Sequence, residues 1–272
     1  MNNWRLGFTA VLTALVVASS ASPATDNDGP PTSIAALGDS ITTAACANGV
    51  SCSDALSDSW STGTNLAVQS HLLRLREIWR DRRPVRAVNL ASDAYVTMAD
   101  LAPQARQALR FRANYVTVEI GENDLCGGTS IATFRAELKH GLEVLSSDDT
   151  RAPATRILLL SIEDIVAHWR ALHNNLVARE SFKTGYSLDC HLGDQVPKTR
   201  LTRIDARTRA LNAVEAEVCS TVPYCRYDRG TYYHLPLRAA YFSRADYQHL
   251  SLAGQHALAA AEWKVALEIL HD

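Results

Sequence analysis

The sequence lacks a charge imbalance: among its 272 residues, 27 lysines and arginines stand against 29 aspartates and glutamates, for a formal charge of −2. This balance gives no electrostatic attraction to a polyanion, so it argues against nucleic acid or an anionic membrane as a partner. Internal repeats and low-complexity runs are also absent. The length and the 47% hydrophobic content support one domain with a single large core.

An apolar run long enough to span a bilayer comfortably is missing as well. The one candidate, from 6 to 18, follows the basic Arg5 and precedes small residues, which is the pattern of a signal peptide. No cysteine lies in this stretch, which disfavours a lipid-anchored protein. We therefore expect a signal peptide over 1–24, a flexible lead over 25–32, one domain over 33–272, and a secreted protein.

The six cysteines include no Cys-x-x-Cys pair, which argues against a zinc site. In an exported chain, an even number of cysteines predicts disulfides instead. Many pairings are permitted, and sequence alone does not choose among them. The short spacings suggest two local bridges and one long one, namely Cys46–Cys52, Cys219–Cys225 and Cys126–Cys190.

Short apolar runs alternate with longer amphipathic stretches along the chain. This alternation indicates a parallel sheet that is covered by helices on both faces, and therefore an α/β fold. The stretch from 165 to 200 shows no clear periodicity, and we expect the main loop region there. Strands are predicted over 33–37, 85–90, 115–120 and 156–162, and helices over 64–80, 98–111, 131–145, 201–218 and 252–270.

Three short strings carry the chemistry of the sequence. They are Gly38-Asp39-Ser40, Gly121-Glu122-Asn123-Asp124 and Asp246-Tyr247-Gln248-His249. The first two directly follow apolar runs, so we expect them at the carboxyl ends of buried strands, where open α/β sheets carry their sites. Together the strings supply a nucleophile, an oxyanion donor and a base with its own carboxylate, which suffices for acyl transfer.

Each proposed role has a plainer alternative. Ser40 is the candidate nucleophile, although a serine here can also simply cap the next helix. His249 is the candidate base and Asp246, three residues earlier, can orient it, whereas the other histidines are interpreted as structural or solvated. Asn123 is the candidate side-chain donor to the oxyanion, although asparagine also commonly closes turns. We expect Asp124 to stabilise that loop through backbone hydrogen bonds.

The three strings, taken together, resemble the blocks of the GDSL-type (SGNH) serine hydrolases, in particular the exported esterases, lipases and phospholipase B-like members. The resemblance spans about 34–263, with smaller similarities at Asn89-Leu90-Ala91 and Gly254-Gln255. It implies a flavodoxin-like three-layer α/β/α sandwich with a central parallel sheet. It also implies the same sequential order of disulfides as the spacing suggests.

The resemblance further implies a third oxyanion donor, which the sequence alters. In the family the second block runs Asn-x-Ala-x-x-Gly, and the glycine N–H joins the oxyanion hole. Here Ala94 stands at the glycine position, so a backbone N–H is retained. Its neighbour Asp93 brings a carboxylate that would oppose an oxyanion if it faced the site, and we expect it to face solvent instead.

We therefore expect a secreted serine ester hydrolase that needs no metal and no other cofactor. The resemblance favours a lipid or fatty-acyl ester as substrate, with a transient contact to a lipid interface and no obligate protein partner. The alternatives are an acetyl esterase that acts on glycans and a non-catalytic binding protein with the same fold. An apolar pocket would favour the first substrate class, and an open polar cleft with tryptophans would favour glycans.

Overall fold

The computed structural model describes Met1 and the ranges 31–80, 84–147, 154–184, 190, 192 and 196–270. The expected signal peptide over 1–24 lies outside the described residues except for Met1, and so does the lead from 25 to 30. Within the described ranges, no helix combines the length and the apolarity that crossing a membrane requires.

The centre of the fold is a five-stranded sheet in which every neighbouring pair of strands is parallel. The strand order β2-β1-β3-β4-β5 is the order of flavodoxin-like sheets. β1, β3 and β4 are buried along their whole length, because helices cover both faces of a three-layer α/β sandwich. The predicted fold class is therefore confirmed. The strands are β1 (Ser33–Gly38), β2 (Arg86–Asn89), β3 (Tyr115–Glu119), β4 (Arg156–Leu159) and β5 (Cys225–Tyr227).

The helices connect these strands and pack on the sheet. The helix predicted over 252–270 is present with the same bounds. Ser251 caps its first turn, since its Oγ accepts a hydrogen bond from the N–H of Gly254. The α-helices are α1 (His71–Ile78), α2 (Leu101–Phe111), α3 (Glu122–Gly127), α4 (Ile131–Ser146), α5 (Ile165–Leu172), α6 (Leu176–Thr184), α7 (Lys198–Cys219) and α8 (Leu252–Leu270).

Several parts of the chain differ from the sequence-based expectation, among them α3 and β5, which were not predicted. The helix predicted from 64 begins only at His71, because Asn65 Oδ1 accepts a hydrogen bond from the N–H of Ala67 and so stabilises a local turn. The expected loop region from 165 contains α5 and α6, so that expectation is wrong up to 184. Asp164 and Asn175 begin these helices by accepting two backbone N–H groups each.

All six cysteines are bridged, in the sequential order that the spacing and the resemblance suggested. The pairs are Cys46–Cys52, Cys126–Cys190 and Cys219–Cys225. The long bridge holds α3, which carries Asn123, to the region beyond α6.

Candidate active site

Ser40 lies in the turn that follows β1. The turn requires glycine at position 38, because Gly38 has a φ of +154° and a Cβ there would overlap the carbonyl oxygen of Glu119 on the neighbouring strand. The carbonyl of Ser40 accepts from the N–H of Ala45 at 3.0 Å. Neither the N–H nor the Oγ of Ser40 has a hydrogen-bond partner among the described residues, so both remain available to a substrate.

The turn around Ser40 is fixed by side chains from distant parts of the fold. The carbonyl of Thr42 accepts from Ser59 Oγ at 2.7 Å and from Asn89 Nδ2 at 3.0 Å. The Nε2 of Gln255, on α8, donates to the carbonyl of Ile41 at 2.8 Å. These bonds explain the similarities at Asn89 and Gln255: both residues hold the turn rather than touch the chemistry.

Asp246 and His249 form a hydrogen-bonded pair through Asp246 Oδ2 and His249 Nδ1. The other carboxylate oxygen accepts from the N–H groups of Gln248 at 3.1 Å and His249 at 3.2 Å. This arrangement holds His249 with its Nε2 free of partners among the described residues. The orientation is the one in which an imidazole can take a proton at Nε2.

The electrostatics of the pair favour a positive imidazole. Burial lowers the pKa of His249, but the hydrogen bond and the charge of Asp246 outweigh it, so the pKa lies above its usual value. The charges of Asp39 and Asp93 raise it further. Conversely, burial raises the pKa of Asp246, but the bond to His249 and its charge bring it below the usual value.

Asn123 stands in the first turn of α3, with its Nδ2 donating to the carbonyl of Val96 at 2.7 Å. An amide nitrogen carries two hydrogens, so one remains for a ligand. Asp124 accepts from the N–H of Met98 at 2.7 Å and thereby holds the loop, as expected. The N–H of Ala94 points to Ser92 Oγ at 3.3 Å, so its role as an oxyanion donor stays a prediction.

A cavity of about 200 Å³ brings the predicted residues together. Ser40, Asn123 and His249 line it, whereas Ala94 is not among its described lining residues. The volume lies below the roughly 300–1,000 Å³ of typical ligand pockets. The other lining residues are Asp39, Ile41, Asp93, Tyr95, Glu122, Cys126 and Gln248.

The acidic character of this cavity was not predicted from the sequence. Burial raises the pKa of Asp39 to about 6, and it raises the pKa values of Glu119 and Glu122 well above their usual range. Asp93 is exposed, as expected, yet it also lines the cavity. The sequence did contain a signal for these buried carboxyls. Asp39 directly follows β1, and Glu119 ends the neighbouring strand β3.

A disulfide also borders the pair, which the sequence analysis missed. The Sγ of Cys46 lies 3.2 Å from Asp246 Oδ2 and 3.4 Å from His249 Nδ1. These three residues form the one group of potential metal ligands found in the described ranges. The sulfur is bonded to Cys52 and is therefore no thiolate, so the donor set does not fit a metal centre.

Comparisons with known proteins give one family match and several solved structures with a similar fold. The sequence model of the GDSL-like lipase/acylhydrolase family matches residues 36–257. No curated protein matches the sequence. The structure of TesA is similar with a TM-score of 0.55 and 18% identity, over 87% of this chain and 99% of that chain.

Two further solved structures share the fold. The extracellular lipase of Streptomyces rimosus is similar with a TM-score of 0.51 and 19% identity, over 86% of this chain and 99% of that chain. The esterase EstA of Pseudoalteromonas sp. is similar with a TM-score of 0.52 and 12% identity, over 89% of this chain and 100% of that chain. At these identities the likeness establishes the architecture.

Proposed function

Because the chain belongs to the GDSL-like lipase/acylhydrolase family, we propose that it is a secreted serine esterase that hydrolyses small acyl esters through Ser40, His249 and Asp246. The observation that carries the proposal is the cavity itself. An unengaged serine hydroxyl and an imidazole that is already oriented by a carboxylate line the same cavity. These are the elements that activate a serine, which is inert as a nucleophile on its own.

The proposed reaction assigns a role to each of these groups. Ser40 Oγ attacks the acyl carbonyl while His249 Nε2 takes its proton, and Asp246 stabilises the imidazolium that forms. The N–H of Ser40 and the free amide hydrogen of Asn123 donate to the oxyanion, with the N–H of Ala94 as a third donor. His249 returns the proton to the leaving alcohol, and water then releases the acyl group from Ser40 by the same steps.

The cavity favours a short acyl group over a long fatty-acyl chain. Its volume of about 200 Å³ is close to that of a cavity that holds one benzene ring, roughly 150 Å³. Only Ile41, Tyr95 and Cys126 offer apolar side chains among its described lining residues. A glycan acetyl ester is the second candidate, favoured by the same small polar cavity, although no tryptophan is among those lining residues.

A panel of nitrophenyl esters from acetate to palmitate, assayed on the purified protein, tests the proposal. We expect kcat/KM to be highest for acetate or butyrate and to fall steeply beyond them. Acetylated xylo-oligosaccharides and phospholipid vesicles in the same panel separate the glycan and lipid alternatives. A maximum at long chains would overturn the short-chain assignment.

The variant Ser40→Ala is the control for the nucleophile. We expect its kcat to fall by roughly 10⁴-fold or more with an unchanged melting temperature, while Ser51→Ala, an exposed serine outside the cavity, retains full activity. Wild-type protein that neither hydrolyses an ester nor reacts with a fluorophosphonate probe would favour the binding-protein alternative.

A further inference from the structure

The segment 243–249, here called the catalytic loop, is contacted from behind by a buried histidine. His168 lies on α5 and is fully buried. Its Nε2 is 3.0 Å from the carbonyl oxygen of Tyr247. A carbonyl oxygen only accepts, so Nε2 carries a hydrogen and donates it.

The other face of His168 is fixed just as firmly. Its Nδ1 lies 2.7 Å from Oε1 of Glu163, and Tyr232 donates its hydroxyl to Oε2 of Glu163 at 2.9 Å. One proton lies between Nδ1 and Oε1. The total charge of the pair is the same whichever of the two atoms carries it. Phe242, the residue just before the catalytic loop, stacks on the imidazole at 3.6 Å between ring centroids. The imidazole therefore has one orientation.

The peptide group that His168 contacts also reaches the catalytic carboxylate. The carbonyl of Tyr247 and the N–H of Gln248 belong to one planar trans unit. The carbonyl accepts from His168, and the N–H on the opposite side donates to Asp246 Oδ1 at 3.1 Å. A rotation of this plane would break both bonds at once.

The backbone at this position needs such support. Tyr247 has a φ of +59°, in the left-handed region that costs a non-glycine residue about 1–3 kcal/mol unless its surroundings hold it. A second tether comes from α6, where Ser181 Oγ donates to the carbonyl of Asp246. The two helices that replace the expected loop thus hold the catalytic loop from outside the cavity.

We propose that His168 is a positioning residue for the hydrolysis. Through the Tyr247–Gln248 peptide it fixes the carboxylate of Asp246, and thereby the orientation of His249. This inference rests on the ester hydrolase function proposed above. His168 is not among the residues that line the cavity, so its effect on the reaction passes through the catalytic loop.

Two substitutions at the same position separate its two hydrogen bonds. In His168→Gln the amide nitrogen can replace Nε2 and still donate to Tyr247, whereas the partner of Glu163 is lost. In His168→Asn the shorter amide can replace Nδ1 beside Glu163, whereas the donor to Tyr247 is lost. We expect His168→Gln to stay within about fivefold of the wild-type kcat and His168→Asn to lose about 10- to 100-fold, with little change in KM.

The pH profile supplies a readout that a purely structural role would not change. The bond to Asp246 raises the pKa of His249, so a displaced loop lowers that pKa. The acid limb, the low-pH side of the profile of kcat/KM against pH, should therefore shift to lower pH in His168→Asn. It should not shift in His168→Gln. Asp39 and Asp93, which also face His249, are unaltered in both variants.

A matched control and a second variant complete the experiment. His256, on α8, bonds through Nδ1 to the backbone carbonyl of Val68 at 3.0 Å. His256→Gln removes that bond and should leave kcat and the acid limb unchanged. If His168→Asn does not fold, His168→Phe keeps a ring against Phe242 and, like His168→Gln, lacks the bond to Glu163, but it has no donor for the carbonyl of Tyr247. It should show the same loss of kcat and the same shift of the acid limb as His168→Asn. The residues of the cavity are retained in all of these variants.

The outcomes distinguish this inference from the proposed function. A folded His168→Asn protein, or where that fails to fold a His168→Phe protein, with wild-type kcat and an unmoved acid limb would overturn the inference alone. If His168→Gln and His168→Asn lost kcat equally, and only in proportion to the fall in their melting temperatures, His168 would likewise have a purely structural role. An inactive wild type would instead overturn the esterase function on which the inference rests.

Discussion

The sulfur of Cys46 lies 3.2 Å from Oδ2 of Asp246, the oxygen that holds His249. The first disulfide therefore packs directly on the carboxylate that orients the proposed base. The bridge between Cys219 and Cys225 closes a loop of the same sequence separation, 6, and borders β5 instead. The chain thus offers a matched pair of bridges, of which one touches the site.

Removal of either short bridge should cost similar stability but different activity. Replacing both cysteines of a pair by alanine should lower the free energy of unfolding by about 2 kcal/mol in each case, because the two loops have equal length. Loss of Cys46–Cys52 should also lower kcat about tenfold or more, since the packing on Asp246 is lost. Equal kcat in the two double variants, measured on folded protein, would contradict this prediction.

The charge of Asp93 should be visible in the pH dependence of hydrolysis. It raises the pKa of His249, so Asp93→Asn should shift the acid limb of kcat/KM to lower pH. An exposed aspartate outside the cavity, Asp54, gives the matched control Asp54→Asn, whose limb should coincide with that of the wild type. A limb that does not move in Asp93→Asn would show that this carboxylate is fully solvated.

The third oxyanion donor can be tested by deleting one hydrogen. Ala94→Pro removes the N–H and should lower kcat by about 100- to 1,000-fold, the range for loss of one such donor. Ser92→Ala removes the side chain that accepts this N–H and should leave kcat unchanged or slightly higher. Full kcat in a folded Ala94→Pro protein would place the donor elsewhere in the loop.

The buried carboxyls should make the protein less stable as the pH rises. Asp39 titrates at about 6 in the folded protein against 3.8 for the free side chain, so the folded state holds the additional proton between these values. The free energy of unfolding therefore falls from about pH 4 to pH 6, and the raised pKa values of Glu119 and Glu122 extend this fall to higher pH.

The substitution Asp39→Asn isolates one of these groups. It keeps an oxygen for the N–H of Ile41, which Asp39 Oδ1 accepts at 3.0 Å, and it removes the charge. We expect a melting temperature a few degrees above that of the wild type at pH 8 and little difference at pH 4. A melting temperature that is unchanged at pH 8 would mean that the carboxyl is not desolvated.

The sequence predicted four of the five strands that the described residues form, and it placed Ser40 and Asn123 at the carboxyl edge of a parallel sheet, because both depend on local signals. The short strand β5 was not predicted. Apolar runs mark β1 and β3, and Ser40 and Asn123 follow them directly. The support of the site was not predictable in this way. Glu163 and His168 lie only five residues apart, but Tyr232 and Tyr247 come from distant segments, and no spacing in the chain indicates that they meet the histidine and its carboxylate. The two helices α5 and α6 were missed because they are short, with 8 and 9 residues.

The bond from Gln255 to the carbonyl of Ile41 joins positions that are 214 residues apart. The turn that carries Ser40 thus depends on a helix synthesised long after it, and His249 immediately precedes that helix. Under the proposed function, ester cleavage therefore begins only when α8 has docked against this turn, so activity reports chains whose last helix is in place.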